Sequence, residues 1–258
     1  MLKRILLTTL FCLLTAGLGG AYLYHAGRYA HQRAQEELCT GINVILADSI
    51  ENRAVVRQDI IEMLDGGRGL IGHRMQDIDI YGLESSLAEK GEVRSVEVYG
   101  DMNGAVNIIL EQRHPVMRFE NGSKKFYIDS TGYMFPVHNV ANVPIVTGRI
   151  PVTYSSGQQG YPKTAGERNW IDGMIAMGDY IESHDYWHRM VEQLDIADNG
   201  DIHLCTRDSK YDILFGDATD IERKFSKLTA FYRSVAPLEE ASHYKSVDLK
   251  YKNQIICR

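Results

Sequence analysis

Hydrophobic spacing divides the chain into stretches with different periods. Ile5 to Tyr24 is apolar throughout and carries no Asp, Glu, Lys or Arg. Twenty helical residues rise about 30 Å, the thickness of a bilayer's hydrocarbon core, so this stretch predicts a transmembrane helix. Arg28 to Leu38 is polar and reads as a stalk. Ile42 to Leu46 reads as a strand, and Val56, Ile60, Ile61 and Leu64 recur at helical spacing until Asp65-Gly66-Gly67 stops the run. A second helix carries Ile80, Leu83, Leu87 and Ala88, with Asp79 as its cap. Val96 and Val98 alternate with polar residues, as do Val106, Ile108 and Leu110, and Asn103-Gly104 between them predicts a hairpin.

Beyond Pro115, which cannot donate a backbone hydrogen bond and reads as a hinge, the strands are short. Phe126-Tyr127-Ile128 and Tyr133-Met134-Phe135 flank the turn Asp129-Ser130-Thr131-Gly132. Ser155 to Thr164, rich in Gly, Gln and Ser, is a loop. Trp170, Met174, Met177 and Ile181 predict a helix over Glu167 to Glu182. Val191 to Ala197 and Asp201 to Cys205 flank the turn Asp198-Asn199-Gly200, and Tyr211 to Phe215 follows as a strand. Ile221, Phe225, Leu228 and Tyr232 mark a second amphipathic helix. Ser246 to Tyr251 alternates strictly: Val247 and Leu249 are assigned to the core, Asp248, Lys250 and Lys252 to the outside.

Composition narrows the function. A net charge of −6 over 258 residues, with no basic run beyond pairs such as Lys124-Lys125, excludes a phosphate-tracking nucleic-acid surface. The four cysteines show no C-x-x-C spacing and frame no zinc site. Lys3 and Arg4 before the apolar stretch favour a cytoplasmic N-terminus, with the rest of the chain across the membrane. A cleaved signal peptide, ending near Gly19-Gly20-Ala21, is the competing reading. In an oxidising compartment Cys39, Cys205 and Cys257 can form at most one internal disulfide. A Cys205–Cys257 bridge and three free thiols both stay open.

The order strand, helix, helix, strand, strand resembles a POTRA domain. Gln112-Arg113-His114-Pro115-Val116, Tyr127 to Pro136, Val143 to Gly148 and Ser246 to Tyr251, in that order, resemble the FtsQ/DivIB family of bacterial cell-division proteins. Lys250 stands in the family's arginine position, Gln254 where it commonly has Gly, and Arg57 where a Ser or Thr usually caps a helix. The resemblance implies an α+β chain in five parts: a cytoplasmic tail (1–4), a transmembrane helix (5–24), a stalk (25–40), a POTRA domain (41–115) and a β domain (116–258). It implies no enzyme, cofactor or metal, but an inner-membrane scaffold at the division septum. Its partners would be single-pass coiled-coil proteins of the FtsB and FtsL types, added as a strand, with the septal peptidoglycan synthase complex reached indirectly. The partner-binding residues it implies are Val247, Asp248, Leu249, Lys250, Tyr251, Lys252 and Asn253.

His184 and His188 share a helical spacing, but the glutamate of a zinc H-E-x-x-H motif is missing, and a helix end explains them. Ser156 lacks any G-x-S-x-G context. Asp195, Asp198, Asn199 and Asp201 resemble a calcium loop, but Ala197 interrupts it and a hairpin turn accounts for the same residues. Gly66 to Gly69 lacks the Lys-Ser/Thr of a phosphate loop. The alternative functions are an anchored or secreted envelope hydrolase and a POTRA module for outer-membrane transport.

Overall fold

Two separate sheets hold the strands of this protein in the computed structural model, which describes residues 15–28, 37–47, 60, 69–122, 124–137 and 140–258. Residues 15–28 are helical and exposed. No helix among the described residues is long and apolar enough to cross a membrane. The first ten residues of the expected span, half of the expected stalk and nearly all of the first expected POTRA helix lie outside the described residues. Of that helix only Ile60 is described, helical and buried.

The first sheet has the order β1-β3-β2, from β1 (Gly41–Leu46), β2 (Val93–Gly100) and β3 (Ala105–Gln112). Strand β1 runs parallel to β3, so Val44 lies opposite Ile108, and both are buried. The β2–β3 turn closes through Asp101 and Ala105, and Gly104 adopts the positive φ that its tight turn requires. Helix α1 (Ile80–Ala88) is capped by Asp79, whose Oδ1 accepts from Gly82 N at 2.8 Å. The chain divides into two compact units, of which the second comprises Lys90–Arg94 and Glu111–Arg258 among its described residues.

The second unit is built on a nine-stranded mixed sheet, ordered β12-β11-β10-β9-β8-β7-β4-β5-β6. Its strands are β4 (Pro115–Asn121), β5 (Lys124–Asp129), β6 (Met134–Pro136), β7 (Ile145–Gly148), β8 (Val191–Ile196), β9 (Ile202–Thr206), β10 (Asp212–Gly216), β11 (Ser246–Asp248) and β12 (Ile256–Cys257). Pro115 therefore opens a strand, a position where its missing N–H costs no ladder bond, and is not only a break between strands. The turn after β5 is organised by Asp129. Its Oδ1 accepts from Thr131 N and Tyr133 N, and its Oδ2 from Arg113 Nη1 at 2.8 Å. Arg113 also lies 3.6 Å above the Tyr133 ring, so one guanidinium ties together two of the motifs that the sequence singled out.

Period-2 alternation gives the sheet one apolar face. Phe119, Val146, Leu194, Leu204, Ile213, Phe215 and Val247 are all buried on it. Three helices supply the other half of this core: α2 (Ala165–Glu182), α3 (Asp185–Met190) and α4 (Ile221–Ser234). Phe225 of α4 stacks on Tyr180 of α2 at 4.7 Å and meets Trp187 of α3 at 5.1 Å. The sequence reading missed α3, whose six residues are too few to show a period.

Cys39, Cys205 and Cys257 are free thiols. Cys257 lies opposite Val247, whose side chain is in the core, whereas Cys205 is exposed between buried Leu204 and Thr206. The two thiols therefore face opposite sides of the sheet, which removes the Cys205–Cys257 bridge.

Candidate functional site: a sheet edge built from beta 11, a turn and beta 12

Strand β10 runs into α4, which crosses back so that β11 pairs parallel to β10, with Ile213 opposite Val247. A parallel pair needs such a crossover, and α4 supplies it while packing Phe225, Leu228 and Phe231 on the sheet. The chain then turns through residues 249–255 and returns antiparallel as β12, Asp248 opposite Ile256.

This changes the expected site. The strand expected over Ser246 to Tyr251 ends at Asp248, and it is an inner strand between β10 and β12. The sheet edge is β12. Val247 and Leu249 are fully buried, as their alternation requires. Asp248, expected outside, is only 8% exposed, and its Oδ1 accepts from Lys250 N at 3.0 Å. Lys250, Tyr251, Lys252 and Asn253 are exposed on the turn. The Lys250 ammonium is held by Asp201 Oδ2 at 2.9 Å, which pushes the Lys250 pKa up and the Asp201 carboxyl down. Its stem lies against Gly216, where a Cβ would collide with it.

Three exposed cations remain around the edge. Lys245, Lys252 and Arg258 have no ion-pair partner among the described residues. At the far end of the sheet the edge strand β6 is bridged, since Met134 and Gly160 exchange backbone bonds of 2.8 and 3.0 Å. No described residue bridges β12 on its outer side.

Lys227 of α4 is a site residue that sequence reasoning missed. Its Nζ donates to the carbonyls of Leu249 at 2.5 Å, Tyr251 at 2.6 Å and Gln254 at 3.4 Å. Burial pushes its pKa down, aided by the Arg223 and Lys224 charges and opposed by Asp248. The apolar triplet Ile255-Ile256-Cys257 after a polar turn was the signal in the sequence for a further strand. Lys227 gave none, because a lysine beside a helix stripe reads as solvated surface.

The other candidates resolve into structure. His184 Nδ1 lies 2.7 Å from Tyr180 O at the end of α2, the helix-end role expected of it, and its ring stacks on Tyr180. His188 Nδ1 pairs with Glu182 at 2.8 Å. Asn199 and Gly200, φ +88°, form the hairpin turn between β8 and β9. Ser156 is exposed in a turn closed by Gln158 N on Ser155 O. No group of three or more His, Cys, Asp or Glu among the described residues could hold a metal ion. A cleft of about 420 Å³ is lined by Arg118, Pro144, Ile145, His188, Glu192 and Arg207 among others. Its arginines are ion-paired, Arg118 with Glu120 and Arg207 with Glu192, and the His188 ring meets Glu182.

A small α+β unit is followed along the chain by a helix-backed mixed sheet, the two-domain α+β class to which a POTRA-like domain and a β domain belong. The POTRA-like domain model matches residues 37–111, and the model described as FtsQ/DivIB, C-terminal related, matches residues 114–258. The chain belongs to the FtsQ/DivIB family, which places it among cell-division proteins. None of the curated proteins compared with it matches the chain.

Proposed function

We propose that this chain is a non-enzymatic scaffold of the division machinery, which binds and bridges other division proteins at the septum. Residues 5–24 anchor it in the inner membrane, with residues 1–4 in the cytoplasm and the bulk in the periplasm. The POTRA domain covers 41–115 and the β domain 116–258. The partners are small single-pass coiled-coil proteins of the FtsB and FtsL types, through which the septal peptidoglycan synthase complex is reached. Confinement to the membrane plane raises the effective concentration of such partners without any new contact.

The observation that carries this reading is the unbridged β12 edge. A strand edge is a row of backbone donors and acceptors that a partner strand can complete. Lys245, Lys252 and Arg258 around it favour an extended segment with acidic side chains. Tyr251, 45% exposed, and Asn253 line its approach from the turn. Val247 and Leu249 hold β11 in the core, Asp248 fixes the start of the turn, and Lys250 is the one cation here that must leave Asp201 to meet a partner.

The test is affinity purification of the tagged full-length chain from its native membranes, beside Cys257→Pro and Cys257→Ser. Proline removes the edge N–H, whereas serine keeps it. Small single-pass coiled-coil proteins are expected with wild type and Cys257→Ser and are absent with folded Cys257→Pro. A folded Cys257→Pro that keeps every partner contradicts strand addition.

A further inference from the structure

The connection from β11 to β12 contains neither Gly nor Pro. Its residues are Leu249, Lys250, Tyr251, Lys252, Asn253, Gln254 and Ile255. Asn253 is its only turn-favouring residue, and no Gly or Pro fixes its shape, so contacts from outside the turn help to hold it. Two contacts fix its first half: Leu249 N donates to Leu214 O at 2.9 Å, and Lys250 N to Asp248 Oδ1. The Lys227 ammonium spans both halves, meeting the carbonyls of Leu249 and Tyr251 in the first and that of Gln254, just before β12, in the second.

We infer that Lys227 is the positioning residue of the partner edge: its ammonium gathers the carbonyls of Leu249, Tyr251 and Gln254 and thereby fixes β12 against β11. This rests on the reading of β12 as the edge that partners complete. An ammonium carries three donors and no acceptor, which matches three convergent carbonyls. Lys224, one turn earlier on the same helix, does the same kind of work for a different loop. Its Nζ donates to Asp217 O at 2.8 Å and Oδ1 at 2.6 Å, so it cannot stand in for Lys227. With Lys227 gone, three carbonyls at distinct chain positions lose their common donor, and the turn is free to adopt other shapes. An edge that is already ordered gives up less entropy when a partner strand joins it. Lys227 therefore acts on partner affinity from the inner side of the sheet, without touching the partner.

The experiment compares Lys227→Met and Lys227→Arg with wild type by amide exchange and by purification from native membranes. In wild type the Arg258 amide bonds to Ser246 O at 3.1 Å and reports on β12 pairing. In Lys227→Met it is expected to exchange at least about tenfold faster, while Leu204 and Ile213 amides stay within about twofold. Lys227→Arg restores protection. Single-pass partners held by wild type are lost with Lys227→Met and kept with Lys227→Arg. Unchanged Arg258 exchange in Lys227→Met overturns the inference. So does acceleration shared equally by Leu204 and Ile213, or loosened β12 pairing with every partner kept. If wild type itself holds no single-pass partner, the strand-addition reading fails, and the exchange ratio alone decides whether Lys227 fixes β12.

Discussion

Ser246 and Arg258 exchange two backbone hydrogen bonds, 3.0 and 3.1 Å long, at the start of β11 and the end of β12. Antiparallel pairs alternate between residues that exchange both bonds and residues that exchange none. Cys257, next along β12 and opposite Val247, is therefore of the second kind, and its N–H and C=O turn to the outer side of the sheet. In the free protein the Arg258 amide is expected to be protected from exchange and the Cys257 amide to exchange like an exposed loop. Amide exchange followed by NMR checks the contrast.

Gly148 ends β7 with φ +82°, opposite Ile196. A Cβ there would run into the Ile196 backbone, which belongs to the neighbouring strand and cannot swing aside. Gly148→Ala combines left-handed strain with this clash and is expected to destabilise the sheet by about 2 kcal/mol or more. Urea denaturation of the variant beside Gly200→Ala separates the two contributions, since nothing lies within 4 Å of a Cβ at Gly200.

Helix α2 begins with a capping box in which Thr164 Oγ1 accepts from Glu167 N and the Glu167 carboxylate accepts from Thr164 N. Thr153 N also donates to that carboxylate at 2.8 Å, and the backbone donors of Thr153 and Thr164 hold its pKa down to about 2, from an ordinary 4.5. A lowered folded-state pKa adds stability that is complete above the unfolded value and disappears as pH falls toward the folded one. The stability difference between wild type and Glu167→Gln is therefore expected to be constant above about pH 5 and to shrink between pH 4.5 and 2. Thr164→Ala should cost about 1 kcal/mol at neutral pH. Denaturant midpoints at stepped pH check both.

Cys205 and Cys257 face opposite sides of one sheet, so reductant is expected to leave the melting temperature unchanged. Burial pushes both thiols up, and Asp195 and Asp212 raise Cys205 further, so alkylation at neutral pH should be slow at each. Non-reducing peptide mapping should find no Cys205–Cys257 cross-link.

Local chemistry made much of this fold readable. Asp79 before the Ile80, Leu83, Leu87 stripe marked α1 to the residue, and Asn103-Gly104 and Asn199-Gly200 marked two hairpins. The sheet edge left only a faint mark, the apolar triplet Ile255-Ile256-Cys257, for a nonlocal reason. Whether β11 is inner or outer depends on the two-residue strand β12, too short to show alternation. The same holds for α3 and for Lys227, whose partners lie 22 to 27 residues away in sequence. Alternation assigns Asp248 to the outside because it records only two faces, and the turn that covers its carboxylate leaves no mark in that pattern.

The most direct test of the central claim is the exchange rate of the Cys257 amide in the free chain and in the complex purified from native membranes. Strand addition at β12 predicts that this outward N–H, unprotected alone, becomes protected by at least about tenfold when the partner is bound. A complex that forms while the Cys257 amide keeps its free rate would contradict it and would place the partner on another surface.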